Sequence, residues 1–496
     1  MKNNKLLLLN VFCSIASFGT NLMINFILSP YIVRTIGVEA NGFISLGNNF
    51  ITYISLLTIA VSSMTSRFVT VSMQEDNLDK AKKYYSSAFV GNLLVLAFIL
   101  IPSVLIILNL QQLLDIPKHL VTDVKILFTI LIFNFMINNL FANLSLTYFC
   151  KDKIYIQNIV TLIGYLLRLI SIFILFVKFK PKVYFIAIAF LIVIVYTQFV
   201  NLLLKRKIMP EVTFSFKNFN KYYMFELIKS GIWNSITTLG VILLTGLDLL
   251  IANIYLGSFE MGILALVKTI TNTISTLNNQ INQIFYPKNT ILFAKNKIEE
   301  LVIEIKNEIN ILSVLNAIPV SILLAFGRDF FALWQSSQDS LELYTLCCLT
   351  ISSYVFLGGA DSIWSIFTVT NKLKTNSILI VFSGILNVII VVILEKFTNL
   401  GIYAIAGVSP LIAIIRHLFY TIPISAKYLS KKRTTFLSQV LISFTNVSVL
   451  FAIGICLKRL IAISSWSTLF FNSIILAIIG ILINILIHFK NIKKRG

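Results

Sequence analysis

Runs of about 20 apolar residues recur from end to end of this 496-residue chain, and they decide what it can become. Each is long enough to cross a hydrocarbon core roughly 30 Å thick. Hydrophobic residues make up 57% of the chain and charged residues 12%, about half the charged share of a soluble domain. In lipid every backbone N–H and C=O must be bonded within the protein, so a span is a helix or part of a closed barrel. The alternation of a barrel strand is absent, which leaves helices. Hydropathy and length divide the chain into about fourteen spans. The expected fold is an all-α polytopic membrane protein.

The formal net charge of +21 would suggest nucleic acid in a soluble protein. Here the cations gather in alternate short loops and at both termini. Lys80, Lys82, Lys83, Lys151, Lys153, Lys205, Arg206, Lys207, Lys288, Lys372, Lys374 and Lys431 to Arg433 belong to that side. With Lys2, Lys5 and the tail from Lys490 to Arg495 it holds about 25 cations, against about 10 opposite. The positive-inside rule therefore puts both termini in the cytoplasm, and no nucleic-acid partner is expected. Lys2 and Lys5 precede an apolar stretch with no small-residue cleavage site, which reads as a retained first helix. The five cysteines are scattered, and His119, His417 and His488 stand alone near span ends. No metal, cofactor or catalytic residue is expected.

Within this apolar chain one stretch is polar in a regular way. From Gly42 onward, Asn48, Thr52, Ser55, Ser62, Ser66 and Thr70 follow the spacing of one helical face, with Arg67 one position off it. The pattern returns 220 residues later as Lys268, Asn272, Ser275, Asn279, Asn282 and Gln283. The entry turns match too, since Gly37 and Gly42 answer Gly257 and Gly262. Further pairs are Lys151 and Lys153 with Lys372 and Lys374, and Gly164 with Gly384. Two parallel six-helix repeats follow, with equivalent polar stripes expected on two walls of one pathway. The competing reading is that the hydroxyls and amides merely join helices. The amides Asn134, Asn138, Asn139 and Asn143 read as packing of that kind.

The expected domains are a six-helix bundle over 1–204, a cytoplasmic linker over 205–222, and a second bundle over 223–425. Two additional helices and a basic tail occupy 426–496. The linker reads as a solvated connection, with an interfacial helix as the alternative.

Charges inside spans are costly, by about 2.5–3.5 kcal/mol at a helix centre. Arg67, Arg168, Asp248, Lys268, Asp361 and Arg416 carry them here. The cationic excess favours an anionic ligand, and a guanidinium can grip two phosphate oxygens at once. Substrate contact is assigned to Arg67, Arg168 and Lys268 with Asn48, Ser66, Asn272 and Asn279. Asp248, Asp361 and Arg416 are assigned to a coupling cation or to ion pairs. Arg67, Lys268 and Arg416 have a rival reading as snorkelling charges near span ends.

The stretch "SPYIVRTIGVEANGFISL", the polar "SSMTSRF" and the late block from "TNKLKTNSILIVFSGILNV" to "NLGIYAIAGVSPL" carry a family resemblance. They resemble the Wzx-type polysaccharide and O-antigen flippases of the multidrug/oligosaccharidyl-lipid/polysaccharide (MOP) exporter superfamily. The twelve-plus-two organisation extends that resemblance to the whole chain. It implies alternating access of two bundles around a lipid-linked oligosaccharide, with membrane lipids, a coupling ion (H+ or Na+) and other polysaccharide-assembly proteins as partners. It implies a transporter and no enzyme. A cation-coupled multidrug exporter of the same superfamily is the alternative, and a membrane glycan polymerase a more distant one.

Overall fold

The structure is a computed structural model that describes residues 2–151 and 153–493. The side chains of 2–12, 14, 15, 18, 283, 284, 287 and 483–493 stand outside the described part. Gln283, His488 and the basic terminal residues of the orientation signal therefore lie outside the described residues.

Helices follow one another with short connections, and no strand occurs among the described residues. In chain order the first six are α1 (Lys2–Ile36), α2 (Val38–Ser62), α3 (Leu78–Leu108), α4 (Val121–Leu140), α5 (Ile154–Lys178) and α6 (Phe185–Ile208). Then come α7 (Lys221–Val241), α8 (Ser258–Ala294), α9 (Ile298–Trp334), α10 (Ser340–Leu357), α11 (Leu373–Phe397) and α12 (Ile402–Arg416). The last two are α13 (Leu437–Leu460) and α14 (Trp466–Lys493). Five of them continue past a break: α2 into Thr65–Gln74, α4 into Leu146–Cys150, α7 into Asp248–Leu256, α10 into Trp364–Val369 and α12 into Ile422–Tyr428. Among the described residues, eleven helical segments are long and apolar enough to cross a membrane. The protein is a polytopic, multi-pass membrane protein.

Compact packing divides the chain into Met1–Gly262 and Ile263–Gly496. In the first unit α5 lies against α1 and α6, α4 against α3 and α6, and α7 runs along α2. In the second, α9 packs on α10, α10 on α12, and α11 on α12, while α13 and α14 both lie against α9. The pairs α3–α4, α4–α6 and α5–α6 thus have counterparts in α9–α10, α10–α12 and α11–α12.

The backbone carries the same 220-residue echo as the sequence. Gly37 and Gly257 both adopt the left-handed side of the map, with φ of 113° and 103°. Only glycine enters that region without strain, so each marks a turn between two spans. Asp76 and Asn296, also 220 apart, have φ of 55° and 57°. Each ends a helix in the same way, the next N–H bonding back to Ser72 O and Leu292 O respectively, both at 2.9 Å. The 3-10 turn Ala142–Ser145 after α4 is matched by Ala360–Ile363 after α10.

The connection between α6 and α7 differs from the solvated linker expected of it. Met209 and Val212 are fully buried in a core with Val61, Tyr84, Tyr85 and Leu227. Ser215 N–H donates to Ser86 Oγ (3.3 Å) and Asn220 N–H to Ser87 Oγ (3.1 Å). Its few apolar residues, hidden among charges in the sequence, find a hydrophobic surface at the end of α3.

Candidate substrate pathway

The second span has two polar faces that behave differently. Along the expected line, Thr52 Oγ1 donates to Asn48 O (3.1 Å) and Ser55 Oγ to Thr52 O (2.7 Å). Ser62 Oγ donates to Thr58 O and Thr70 Oγ1 to Ser66 O, both at 2.8 Å. These hydroxyls are satisfied by their own backbone, as membrane Ser and Thr commonly are. Asn48, Thr52 and Arg67 are exposed along this face, and Ser66 is half-buried.

One position off the line, Asn49 and Tyr53 reach α7. Both donate to Gly246 O, at 3.1 and 2.6 Å. Residues Ile242–Gly246 form a π-helical turn, a local widening in which Leu247 N–H bonds back five residues to Ile242 O (3.0 Å) and the regular ladder is disturbed. Asp248, next to the turn, is buried. Nearer the start of α7, Ser235 Oγ donates to Leu56 O (2.9 Å) and Asn234 Nδ2 to Ser63 Oγ (3.2 Å). Gly231 meets Ala60 so closely that a Cβ there would lie 2.2 Å from Ala60 O. Asn49, Tyr53 and Gly246 escaped the sequence reading, and the only signal for them was "TG" beside Asp248 in an apolar helix.

Arg168 lies inside the first unit, 8% exposed on α5. Its guanidinium carbon sits 4.2 Å from the centroid of the Phe190 ring on α6, a cation–π contact, and its Nε has no hydrogen-bond partner. Among the described residues no carboxylate forms an ion pair with it. The result is a buried positive charge with no compensating acid among the described residues.

The second unit holds a polar network assembled from four spans. Asp361 lies in the 3-10 turn after α10, where Gly358 and Gly359 interrupt the helix. Gly359 is packed against α9, and a Cβ there would fall 2.2 Å from Ile309 O. Asn278 Nδ2 of α8 donates to Asp361 Oδ2 (3.2 Å), and Asn316 Nδ2 of α9 donates to Asn278 Oδ1 (2.8 Å) and Gly358 O (2.5 Å). Arg416 interacts electrostatically with Asp361. It also donates through Nη2 to His417 Nε2 (3.0 Å), which leaves the imidazole proton on Nδ1. Arg416 Nε and Nη1 have no partner.

This corrects the placement of Arg416 and His417 near a span end. A π turn (His417–Thr421) joins α12 to Ile422–Tyr428, so both residues are well inside the helical segment. Asn278 and Asn316 are further additions, on helix faces that the stripe pattern passed over. On α8, Asn272 and Asn279 are exposed and Lys268 is half-buried.

Residues 7–289, more than half of the chain, match the polysaccharide biosynthesis protein family. The chain belongs to that family. This polysaccharide biosynthesis protein is 26% identical over 466 residues to the "Uncharacterized membrane protein EpsK" of Bacillus subtilis (strain 168), covering 93% of this chain and 91% of that one. Its fold is similar to that of the lipid II flippase MurJ in an inward closed conformation, with a TM-score of 0.71 at 15% identity. That match covers 97% of this chain and 99% of the other. An inward-facing multidrug resistance MATE family transporter of the MOP superfamily matches with a TM-score of 0.64 at 14% identity, over 87% and 94% of the two chains. The fold of this family member is that of MOP-superfamily transporters and flippases.

Proposed function

We propose that this protein flips an undecaprenyl-diphosphate-linked oligosaccharide, the repeat unit of a surface polysaccharide, across the bacterial cytoplasmic membrane by alternating access. Arg168 carries this reading. A buried guanidinium held by a ring and not by a carboxylate keeps its charge available for an anionic ligand. Diphosphate supplies paired oxygens that match the planar fork. Arg67, Lys268 and the amides Asn48, Asn272 and Asn279, with Ser66, would line the hydrophilic route of the glycan. The lipid tail would stay in the bilayer. Both termini and the 205–222 connection face the cytoplasm in this scheme, and the two six-helix repeats move as the alternating elements.

Direction requires unequal affinity for the substrate in the two states, or a coupling ion. The Asp361 network, with its carboxylate held by Asn278 and influenced by Arg416, is the candidate for H+ or Na+ coupling. The same network supports the second reading, a cation-coupled multidrug exporter. Deleting the gene and locating lipid-linked intermediates by leaflet separates the readings. Complete repeat units should accumulate on the cytoplasmic leaflet. Incomplete units, or complete ones on the outer leaflet, would exclude flipping of this substrate.

A further inference from the structure

At the end of α6, where the chain turns into the 209–220 connection, a crevice of about 350 Å³ opens between α3, α4 and α6. Its walls are almost wholly carbon and include Phe89, Leu140, Leu202 and Phe214. Phe214 is fixed there by Phe89, the ring centroids 4.4 Å apart. The polar groups are few. Lys205, 8% exposed, holds its ammonium 5.3 Å from the centroid of Tyr85. Arg206, next in the chain, is exposed beside it. Asn143, 4% exposed in the 3-10 turn after α4, lines the same crevice with its Nδ2 lacking any hydrogen-bond partner.

The acid nearest these cations does not neutralise them by direct contact. Glu211 pairs with Lys151 at 2.5 Å, and Lys205 forms no ion pair among the described residues. An apolar slot in a membrane protein gives an acyl chain no hydrophobic gain, because the bilayer is equally apolar. Selectivity must then come from the head group, and the polar groups of the lining include two cations and an amide nitrogen with no hydrogen-bond partner. Their chemistry matches a phosphate oxyanion at the membrane surface.

We infer that this crevice binds an anionic glycerophospholipid of the adjacent leaflet, one chain along Phe89, Leu140 and Leu202 and its phosphate between Lys205, Arg206 and Asn143 Nδ2. The bound lipid would complete the packing of the connection on the end of the bundle. Under the proposed topology this is the cytoplasmic leaflet, but the binding itself does not depend on which glycan is transported.

The test is native mass spectrometry of the full-length protein in detergent, with dioleoylphosphatidylglycerol or dioleoylphosphatidylcholine added at equal concentration. The wild type should retain the anionic lipid preferentially. Arg206→Gln, at an exposed position, should lower that retention about fivefold, and Lys205→Gln with Arg206→Gln about thirtyfold. Asn143→Leu should lower it without affecting phosphatidylcholine. Thermal melting of each variant shows whether the fold survives, and Arg206→Gln serves if Lys205→Gln does not. Equal retention of the two lipids, or no response to Arg206→Gln, overturns the inference. So does displacement by inorganic phosphate, which would mark a free-anion site, or stronger retention of undecaprenyl phosphate, which would assign the crevice to substrate lipid.

Discussion

Gly42 and Gly262, the two glycines that the 220-residue repeat makes equivalent, touch each other. A Cβ on Gly42 would lie 2.9 Å from Gly262 Cα, and one on Gly262 only 2.5 Å from Val38 O. The first helical turns of α2 and α8 thus meet backbone to backbone, which only the absence of side chains permits. Both glycines belong to the first packing unit. The contact therefore joins the N-terminal end of α2 to the first residues of α8.

Adding bulk at this contact should force it open. Gly42→Val is expected to cost about 1–3 kcal/mol of stability, as overpacking does, read as a lower melting temperature in detergent. The contact should also be part of the transport cycle. With the five native cysteines replaced, Glu39→Cys and Phe259→Cys, beside the contact, joined by a cleavable bis-thiol cross-linker should stop export, and cleavage should restore it. Full export with the pair cross-linked would mean that this end of the molecule does not need to separate.

Tyr53 tests the seam between α2 and α7. Tyr53→Phe removes the 2.6 Å bond to Gly246 O while leaving Asn49 as the second donor. Hydrogen bonds between membrane helices are worth about 0.6 kcal/mol on average, so the single change should lower stability only slightly. Asn49→Ala together with Tyr53→Phe should cost more than the two added separately, because the carbonyl at the π turn then loses both donors. A double-mutant cycle of melting temperatures measures the difference, and strict additivity would show that the two side chains do not share this acceptor.

Arg168 separates a binding role from a packing role. Arg168→Ala should abolish export while the protein still accumulates in the membrane, since no ion pair is broken. Arg168→Lys should restore only part of the activity, because a point charge cannot grip two oxygens as a guanidinium does. The readout is surface polysaccharide per unit of membrane protein. Full activity in Arg168→Ala would confine the residue to contact with Phe190.

The ion pair between Lys151 and Glu211 makes the connection after α6 sensitive to acid. Burial opposes the carboxylate charge, but the hydrogen bond and charge of Lys151 outweigh it and hold Glu211 below the usual carboxylate range. A depressed folded pKa stabilises the protein above the unfolded value, about 4.3, and the gain disappears as pH falls through the folded value. Both partners are partly exposed, so the pair is worth at most about 1 kcal/mol. Glu211→Gln should melt slightly below wild type at pH 7, and the two curves should converge below pH 4. A gap that persists in acid would place the effect in packing.

Much of the architecture was legible because lipid leaves the backbone little choice. A run of twenty apolar residues must bond its own N–H and C=O groups, so composition alone dictates a helix. The repeat was legible for a related reason. Gly37 and Gly257 occupy a region of φ that most residues avoid, and glycines 220 positions apart announce equivalent turns.

The candidate site was legible only in part. The stripe through Asn48, Thr52 and Ser55 is a true helical face, but periodicity cannot tell where a hydroxyl points its proton. Thr52 and Ser55 bond their own helix, and the residues that cross to α7 are Asn49 and Tyr53. Asp361 was visible as a charge in a span. Its partners Asn278 and Asn316 were not, because they come from separate helices at unrelated spacings.

The sequence by itself therefore determined the spans, their breaks and the repeat, all consequences of local backbone bonding and of residue size at turns. Only the tertiary structure decided which polar atoms meet: Tyr53 with Gly246 O, Arg168 with the Phe190 ring, Asp361 with Asn278. Such contacts depend on the rotation of each helix about its axis. That rotation is set by close packing, as where Gly231 admits Ala60 and Gly359 admits Ile309, and not by the polarity of the residues it brings together.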